Sequence, residues 1–122
     1  GRPRRVAWMD MVATRYGVRL QGATELALTK LDILSGFDEL PVCVGYRCGD
    51  EVTRHFPYTQ KLYECEPIYK VFPGWKRDIS GARKMEDLPR EAREYVAFVE
   101  AESGCPVKFV SVGAERSQLI VV

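Results

Sequence analysis

Helical and strand-like hydrophobic patterns alternate along this chain of 122 residues, and this alternation limits the folds open to it. Two segments, 8–21 and 88–103, have the apolar spacing of amphipathic helices. Strand-like runs lie between and after them, at 24–29, 40–47, 52–56, 68–72, 107–112 and 118–122. Because strands and helices interleave, we predict the α/β class, or α+β, with a mixed sheet and flanking helices.

Both predicted helices carry end signals. Asp10 is the expected N-cap of the first helix and Gly22 its stop. Pro89 suits the first turn of the second helix, and Gly104 follows as its C-terminal stop. The prolines and glycines of 57–83 indicate mostly loop. We find no internal repeat and expect a single region.

Composition narrows the function classes. Apolar residues make up 46% of the chain and charged residues 29%, which is typical of a globular protein. The net charge of +1 gives no bulk attraction to nucleic acid or to an anionic membrane. No apolar run approaches the roughly 20 residues of a membrane span. The chain begins with Gly1 and ends in an apolar strand, so we expect other parts of a larger protein to cover that edge.

The four cysteines do not indicate a metal site. They form no Cys-x-x-Cys pair, and His55 is the only histidine, in a polar stretch that favours exposure over catalysis. Cys43 and Cys48 lie five apart in a strand-like run, so their side chains should point to opposite faces and not pair. We predict reduced, mostly buried thiols in a cytoplasmic protein.

The motif Thr29-Lys30-Leu31-Asp32 follows the apolar run of a predicted strand, where α/β proteins place ligand sites. A carboxylate has only acceptors, and guanine presents two adjacent donors, its ring N1–H and its 2-amino group. Adenine would leave Asp32 desolvated and unpaired, so the motif favours guanine, with the stem of Lys30 along the base face. The alternative is an ordinary strand-to-loop turn without a ligand.

Two further motifs carry polar groups. In Gly1-Arg2-Pro3-Arg4-Arg5, guanidiniums suit carboxylates and phosphates, although a solvated basic terminus or a weak nucleic-acid patch with Trp8 would look alike. In Ser111-Val112-Gly113, a hydroxyl and a glycine amide at a strand end suit a ligand's edge, although a simple β-turn is the alternative. No glycine-rich loop of the form G-x-x-x-x-G-K-[ST] is present.

Taken in order, five segments resemble the C-terminal third of adenylosuccinate synthetases, along essentially all of the chain. They are GRPRRVAWMD, ELALTKLDILSGFDEL, PVCVGYRC, PGW…DISG and FVSVGAERSQLIVV. The resemblance implies the C-terminal portion of a larger nucleotide-binding α/β ligase of purine biosynthesis. That enzyme joins L-aspartate to inosine monophosphate (IMP) with GTP and Mg²⁺. The resemblance also implies that the complete enzyme is a cytoplasmic homodimer, with neither nucleic acid nor membrane as a partner.

The resemblance also implies roles for residues. Gly1, Arg2 and Arg4 would contact IMP and aspartate, and Arg4 would also reach the ribose of GTP. The remaining GTP contacts would come from two groups: Lys30, Leu31 and Asp32 on one side of the base, and Ser111, Val112 and Gly113 on the other.

The family's phosphate loop, catalytic aspartate, catalytic histidine and Mg²⁺ site belong to its N-terminal part, none of whose segments is in this sequence. We therefore expect no catalytic residue and no metal ligand here, and no turnover by this chain alone. Among the departures from the family pattern are Pro3, Ala7 and Leu119; Ala114 replaces a usual proline and should loosen its turn. The alternatives are a non-catalytic purine-nucleotide-binding module and an interaction domain using the basic terminus.

Overall fold

The computed structural model describes residues 1–122 and contains two small sheets and three α-helices. Three 3₁₀ helices occupy loops, at Leu31–Gly36, Met85–Asp87 and Arg116–Gln118. The other elements, in chain order, are β1 Met9–Asp10, α1 Met11–Gln21, β2 Leu26–Leu28, β3 Glu39–Cys48, β4 Glu51–Thr53, α2 Thr59–Leu62, β5 Cys65–Pro73, α3 Arg90–Ser103, β6 Val107–Ser111 and β7 Leu119–Val121.

The first sheet is built around β3. Strand β5 pairs antiparallel along the whole of β3, while β1 pairs parallel to its first half and β4 antiparallel to its last residues. The turn between β3 and β4 lies at Gly49-Asp50, as predicted, with Gly49 at a φ of 65°. The short strand β1 and the helix α2 were not predicted, since neither is long enough to show a period.

The second sheet has the order β2-β6-β7. Strands β2 and β6 run parallel, with Leu28 opposite Val110, and β7 returns antiparallel to β6. Because β2 and β6 are parallel neighbours, their carboxyl ends meet at the same edge of the sheet. The predicted mixed α/β class is confirmed, with the mixture divided between two sheets.

One core of 17 buried residues joins both sheets to α3. The buried face of α3 carries Ala92, Tyr95, Val96 and Val99, which is the spacing of one face of a helix. Burying a side chain of the size of valine or leucine stabilises the fold by roughly 1.5–3 kcal/mol. None of the helices combines the length and hydropathy that a membrane-spanning segment needs.

The helix ends predicted at Asp10, Gly22 and Gly104 are confirmed, whereas Pro89 stands at the N-cap of α3 and not in its first turn. The carboxylate of Asp10 accepts a hydrogen bond from the Ala13 backbone N–H at 3.0 Å, which satisfies one free donor at the start of α1. Gly22 and Gly104 end α1 and α3 in the left-handed conformation. Helix α1 begins three residues later than predicted, because Met9 and Asp10 pair with β3 instead.

The prediction of four reduced cysteines is wrong for one pair. Cys48 and Cys65 lie directly opposite each other on β3 and β5 and form a disulfide. The pairing depends on the register of two strands, which the spacing of 17 residues does not reveal. Cys43 and Cys105 are free and buried, as expected. Cys43 does not pair with Cys48, but both belong to one buried cluster, because the β3–β5 register shifts between Cys43 and Gly45. The prediction that they point to opposite faces is therefore wrong.

The last strand offers a direct test of the core. Ile120 is fully buried, whereas its neighbour Val121 is 63% exposed on the other face of β7. We expect Ile120→Val to lower the free energy of unfolding by about 1 kcal/mol through the lost methylene. Val121→Thr, the control, should change it by less than about 0.5 kcal/mol. Urea unfolding of the chain measures both, and equal effects would contradict this account of the core.

Candidate functional site

The turns after β2 and β6 lie at the same edge of the second sheet. Leu28 pairs with Val110, so Lys30–Asp32 and Ser111–Gly113 follow neighbouring strands at the same end. The 3₁₀ helix Leu31–Gly36, which carries Asp32, also packs against β6. The structure therefore brings together two motifs that are about 80 residues apart in the sequence.

Lys30 has a left-handed backbone, with φ 61° and ψ 34°, immediately before the 3₁₀ helix. This conformation costs a residue with a side chain roughly 1–2 kcal/mol, and such residues cluster at ligand sites. The sharp turn leaves the Lys30 side chain exposed and places Asp32 in the first turn of the 3₁₀ helix. Asp32 is half-buried and has neither a hydrogen bond nor an ion pair within the chain. Its acceptor oxygens are thus free for a donor from outside.

Two predicted ligand residues are anchors instead of open contacts. Leu31 is 1% exposed and Val112 fully buried, so their side chains belong to the core. Any ligand contact by either residue must use its backbone. The N–H of Val112 already donates to the Gln118 carbonyl at 2.9 Å, which leaves its own carbonyl. Ser111 Oγ donates to the Gly113 carbonyl at 3.0 Å and keeps its lone pairs for a further partner.

The loop after β5 braces the 3₁₀ helix that carries Asp32. Trp75 is 6% exposed, and its indole N–H donates to Ser35 Oγ at 2.9 Å. The Gly74 N–H donates to the Asp38 carbonyl at 2.8 Å. A β-carbon at Gly74 would overlap the carbonyl oxygen of Phe37, so only glycine fits there. The Pro-Gly-Trp run was noted in the sequence, but nothing in it revealed this supporting role.

A cleft of about 440 Å³ lies beside Lys30, a volume typical of small-ligand sites. Among its lining residues are Trp8, Asp10, Lys30 and Tyr95. Burial raises the pKa of Tyr95 to about 12, so its hydroxyl is neutral near pH 7. Asp10 accepts from the Tyr46 hydroxyl, and burial followed by this hydrogen bond raises the pKa of Tyr46. The Asp10 carboxylate that lines the cleft is therefore fixed in position by hydrogen bonds within the chain.

The N-terminal motif is not joined to these turns. Gly1, Arg2 and Arg4 are exposed and make no hydrogen bond or ion pair with the rest of the chain. The segment is attached through Trp8, whose ring packs edge-on against Phe37 at a centroid distance of 5.0 Å. Phe37 directly follows the 3₁₀ helix of Asp32, so the segment is anchored by Trp8 next to that helix.

No metal site accompanies these groups. Nowhere in residues 1–122 do three histidine, cysteine or acidic side chains come together in an arrangement that could hold an ion. The residues here do not fit a resident Mg²⁺, and we derive no step through one.

Parallel strands whose carboxyl ends carry polar turns define an α/β protein of the kind that places ligand sites at such a sheet edge. The family model for adenylosuccinate synthetase matches residues 1–120, and the chain belongs to this family. An adenylosuccinate synthetase from Pelobacter propionicus is 48% identical, over all of this chain and 29% of the relative. One from Heliobacterium modesticaldum is 50% identical, over 98% of this chain and 28% of the relative.

The fold agrees with this membership. A structure of fully ligated adenylosuccinate synthetase from Plasmodium falciparum superposes with a TM-score of 0.93 at 33% identity. The match covers 99% of this chain and 30% of the plasmodial one. The chain thus spans about three-tenths of the length of the relatives that it matches.

The left-handed lysine gives a prediction with a matched control. Lys76 is the only other non-glycine residue with a positive φ, at 45°, and it pairs with the exposed Asp38. We expect Lys30→Gly and Lys76→Gly each to be neutral or to raise the free energy of unfolding by up to about 1 kcal/mol, because glycine removes the backbone cost. In a full-length ligase carrying this segment, only Lys30→Gly should weaken GTP binding. Equal GTP affinities in thermal-shift titrations would contradict a ligand role for Lys30.

Proposed function

We propose that this chain is the nucleobase-recognising part of a GTP-dependent ligase that forms adenylosuccinate from IMP and L-aspartate, in purine nucleotide biosynthesis. The observation that carries the proposal is the half-buried Asp32 carboxylate, unpaired within the chain, at the same sheet edge as Ser111. Family membership supports the reaction. In this proposal GTP, IMP and aspartate are the ligands, and the complete enzyme is a cytoplasmic homodimer.

Guanine selection follows from hydrogen-bond chemistry. The two oxygens of Asp32 accept from the N1–H and the 2-amino group of guanine, while the Lys30 stem lies along the base face. Ser111 and Gly113 offer polar groups to the opposite side of the base. Adenine has an acceptor at N1 and no 2-amino group, so it would leave a desolvated carboxylate unpaired. The cost of that mismatch is what rejects ATP.

The arginines of the N-terminal motif serve the anions of the reaction. Arg2 and Arg4 offer fork-shaped donors that bind carboxylate and phosphate oxygens in pairs. In the reaction GTP phosphorylates the 6-oxygen of IMP, and the amine of aspartate then displaces that phosphate. In this proposal any Mg²⁺ of the complete enzyme would be held by residues outside these 122. This chain contributes base selection and anion binding.

The proposed recognition of guanine by Asp32 is tested by Asp32→Asn in a full-length ligase carrying this segment. Asparagine replaces one acceptor oxygen by an NH₂ donor, which then faces the 2-amino group of guanine. We expect kcat/KM with GTP to fall by a factor equivalent to a few kcal/mol, on the order of a lost buried hydrogen bond. With xanthosine triphosphate as the substrate, part of this lost kcat/KM should be recovered. Xanthine has a carbonyl at that ring position and accepts from the new amide.

The matched control is Asp38→Asn, the same substitution at an exposed carboxylate near the site. It should leave the ratio of kcat/KM for GTP to that for xanthosine triphosphate unchanged. If Asp32→Asn also leaves this ratio unchanged in a folded enzyme, Asp32 does not read the base and the proposal fails.

The arginine role is tested by comparing Arg2→Ala with Arg5→Ala. Both side chains are exposed and unpaired, and only Arg2 is assigned to a ligand. A charge-assisted hydrogen bond contributes roughly 1.5–3 kcal/mol, so Arg2→Ala should lower kcat/KM for IMP and aspartate about tenfold or more. Arg5→Ala should have little effect. Steady-state kinetics that cannot tell the two variants apart would remove Arg2 from the site.

A further inference from the structure

The turn after β6 is held by one residue, Gln118, at the end of the 3₁₀ helix Arg116–Gln118. Its Oε1 accepts a hydrogen bond from the Glu115 backbone N–H at 3.0 Å. Its backbone carbonyl accepts from the Val112 N–H at 2.9 Å. Its carboxamide lies across the α-carbon of Gly113, so that any β-carbon at position 113 would overlap it. Gln118 thus restrains the turn at three positions, Val112, Gly113 and Glu115.

The same carboxamide fastens this turn to a second loop. Gln118 Nε2 donates to the Ser80 carbonyl at 3.2 Å, and that carbonyl also accepts from the Arg83 guanidinium at 2.8 Å. The second loop is itself fixed, because Ile79 and Ala82 are buried in the main core. The Ser80 N–H donates to the Asp78 carboxylate at 2.9 Å, which lowers the pKa of Asp78 and keeps it ionised. The turn is therefore tied to a loop with a defined position.

The turn has few other restraints. Within 111–117 the only side-chain hydrogen bond that does not involve Gln118 joins Ser111 Oγ to the Gly113 carbonyl. Residues 114–117 are exposed, and position 114 is alanine, without the ring of a proline to limit its backbone. Ala114 therefore predicts a loosened turn, whereas the structure has a turn that is restrained by Gln118.

We propose that Gln118 is a positioning residue for the nucleobase. By joining the turn to Ser80, it fixes where Ser111 and Gly113 stand relative to Asp32 in the 3₁₀ helix that follows the neighbouring strand β2. The proposal rests on the proposed function, since it assumes that this sheet edge holds the base. Gln118 acts through the turn and does not itself contact the ligand.

Three variants of a full-length ligase carrying this segment test the proposal. Gln118→Met keeps the length of the side chain and removes both of its hydrogen bonds. We expect it to raise KM for GTP about three- to tenfold, the size of one or two neutral hydrogen bonds, while kcat and the KM values for IMP and aspartate change less than about twofold. Gln118→Glu keeps the acceptor for Glu115 but sets a carboxylate oxygen against the Ser80 carbonyl, acceptor against acceptor, so a rise of about three- to tenfold is expected here too. Ser117→Ala, an exposed neighbour on the same 3₁₀ helix, is the control and should leave KM unchanged.

A purely structural role makes a different prediction. It would lower Tm in the Gln118 variants and leave KM for GTP unchanged, and this result would overturn the proposal. If Gln118→Met does not fold, Gln118→Glu tests the proposal instead. An unchanged KM for GTP in that variant would also overturn the role of Gln118.

Failure of the proposed function is distinguishable in the same assay. If Asp32→Asn shifts the preference from GTP toward xanthosine triphosphate while the Gln118 variants keep the wild-type KM, only the role of Gln118 is wrong. If Asp32→Asn leaves that preference unchanged, the base is not read at this edge, and the proposal for Gln118 falls with it.

Discussion

The parallel pairing of β2 with β6 is the interaction on which the candidate site depends. Three backbone positions of β2, a strand of only three residues, are in register with β6, and this pairing brings the two polar turns to one edge. The strands are 80 residues apart in sequence, so the pairing is stable only because the core supports it. Helix α3, which lies between them in the chain, supplies the buried face that covers this sheet. A parallel connection of this kind needs such a crossover.

Each turn at this edge follows the same physical design. A buried aliphatic residue, Leu31 in one and Val112 in the other, holds the backbone in the core. Polar neighbours on either side, Asp32 and Ser111, are thereby turned toward the surface. The left-handed backbone of Lys30 sets the direction of the first turn, and the hydrogen bond of Gln118 to Ser80 restrains the second. Both depend on the buried residues that fix the neighbouring backbone. A ligand group that meets such a site finds its partners already oriented, so little ordering is needed on binding.

Much of this could be predicted from local sequence signals. The helix ends were predictable from Asp10, Gly22 and Gly104, because capping depends on one residue and its nearest backbone neighbours. The two candidate motifs could be placed at strand ends because both follow apolar runs. The Cys48–Cys65 disulfide and the brace of Trp75 on Ser35 were not predictable, since each depends on which distant segments become neighbours. The buried state of Leu31 and Val112 was also missed, because a motif shows which residues surround a ligand and not which way each one points.

The two halves of the proposed site differ in how far the fold has prepared them. The turns proposed to face the base are fixed by strands, buried anchors and a bracing loop, whereas Arg2 and Arg4 extend from Trp8 without a partner in the chain. Fixing the backbone of one residue costs roughly 1–2 kcal/mol, and an arginine side chain loses up to about 2 kcal/mol more. Charge-assisted hydrogen bonds to phosphate or carboxylate are strong enough to offset such a cost. Under the proposed function, base selection therefore depends on a site formed in advance, while anion binding depends on ligand charges strong enough to order the arginines that meet them.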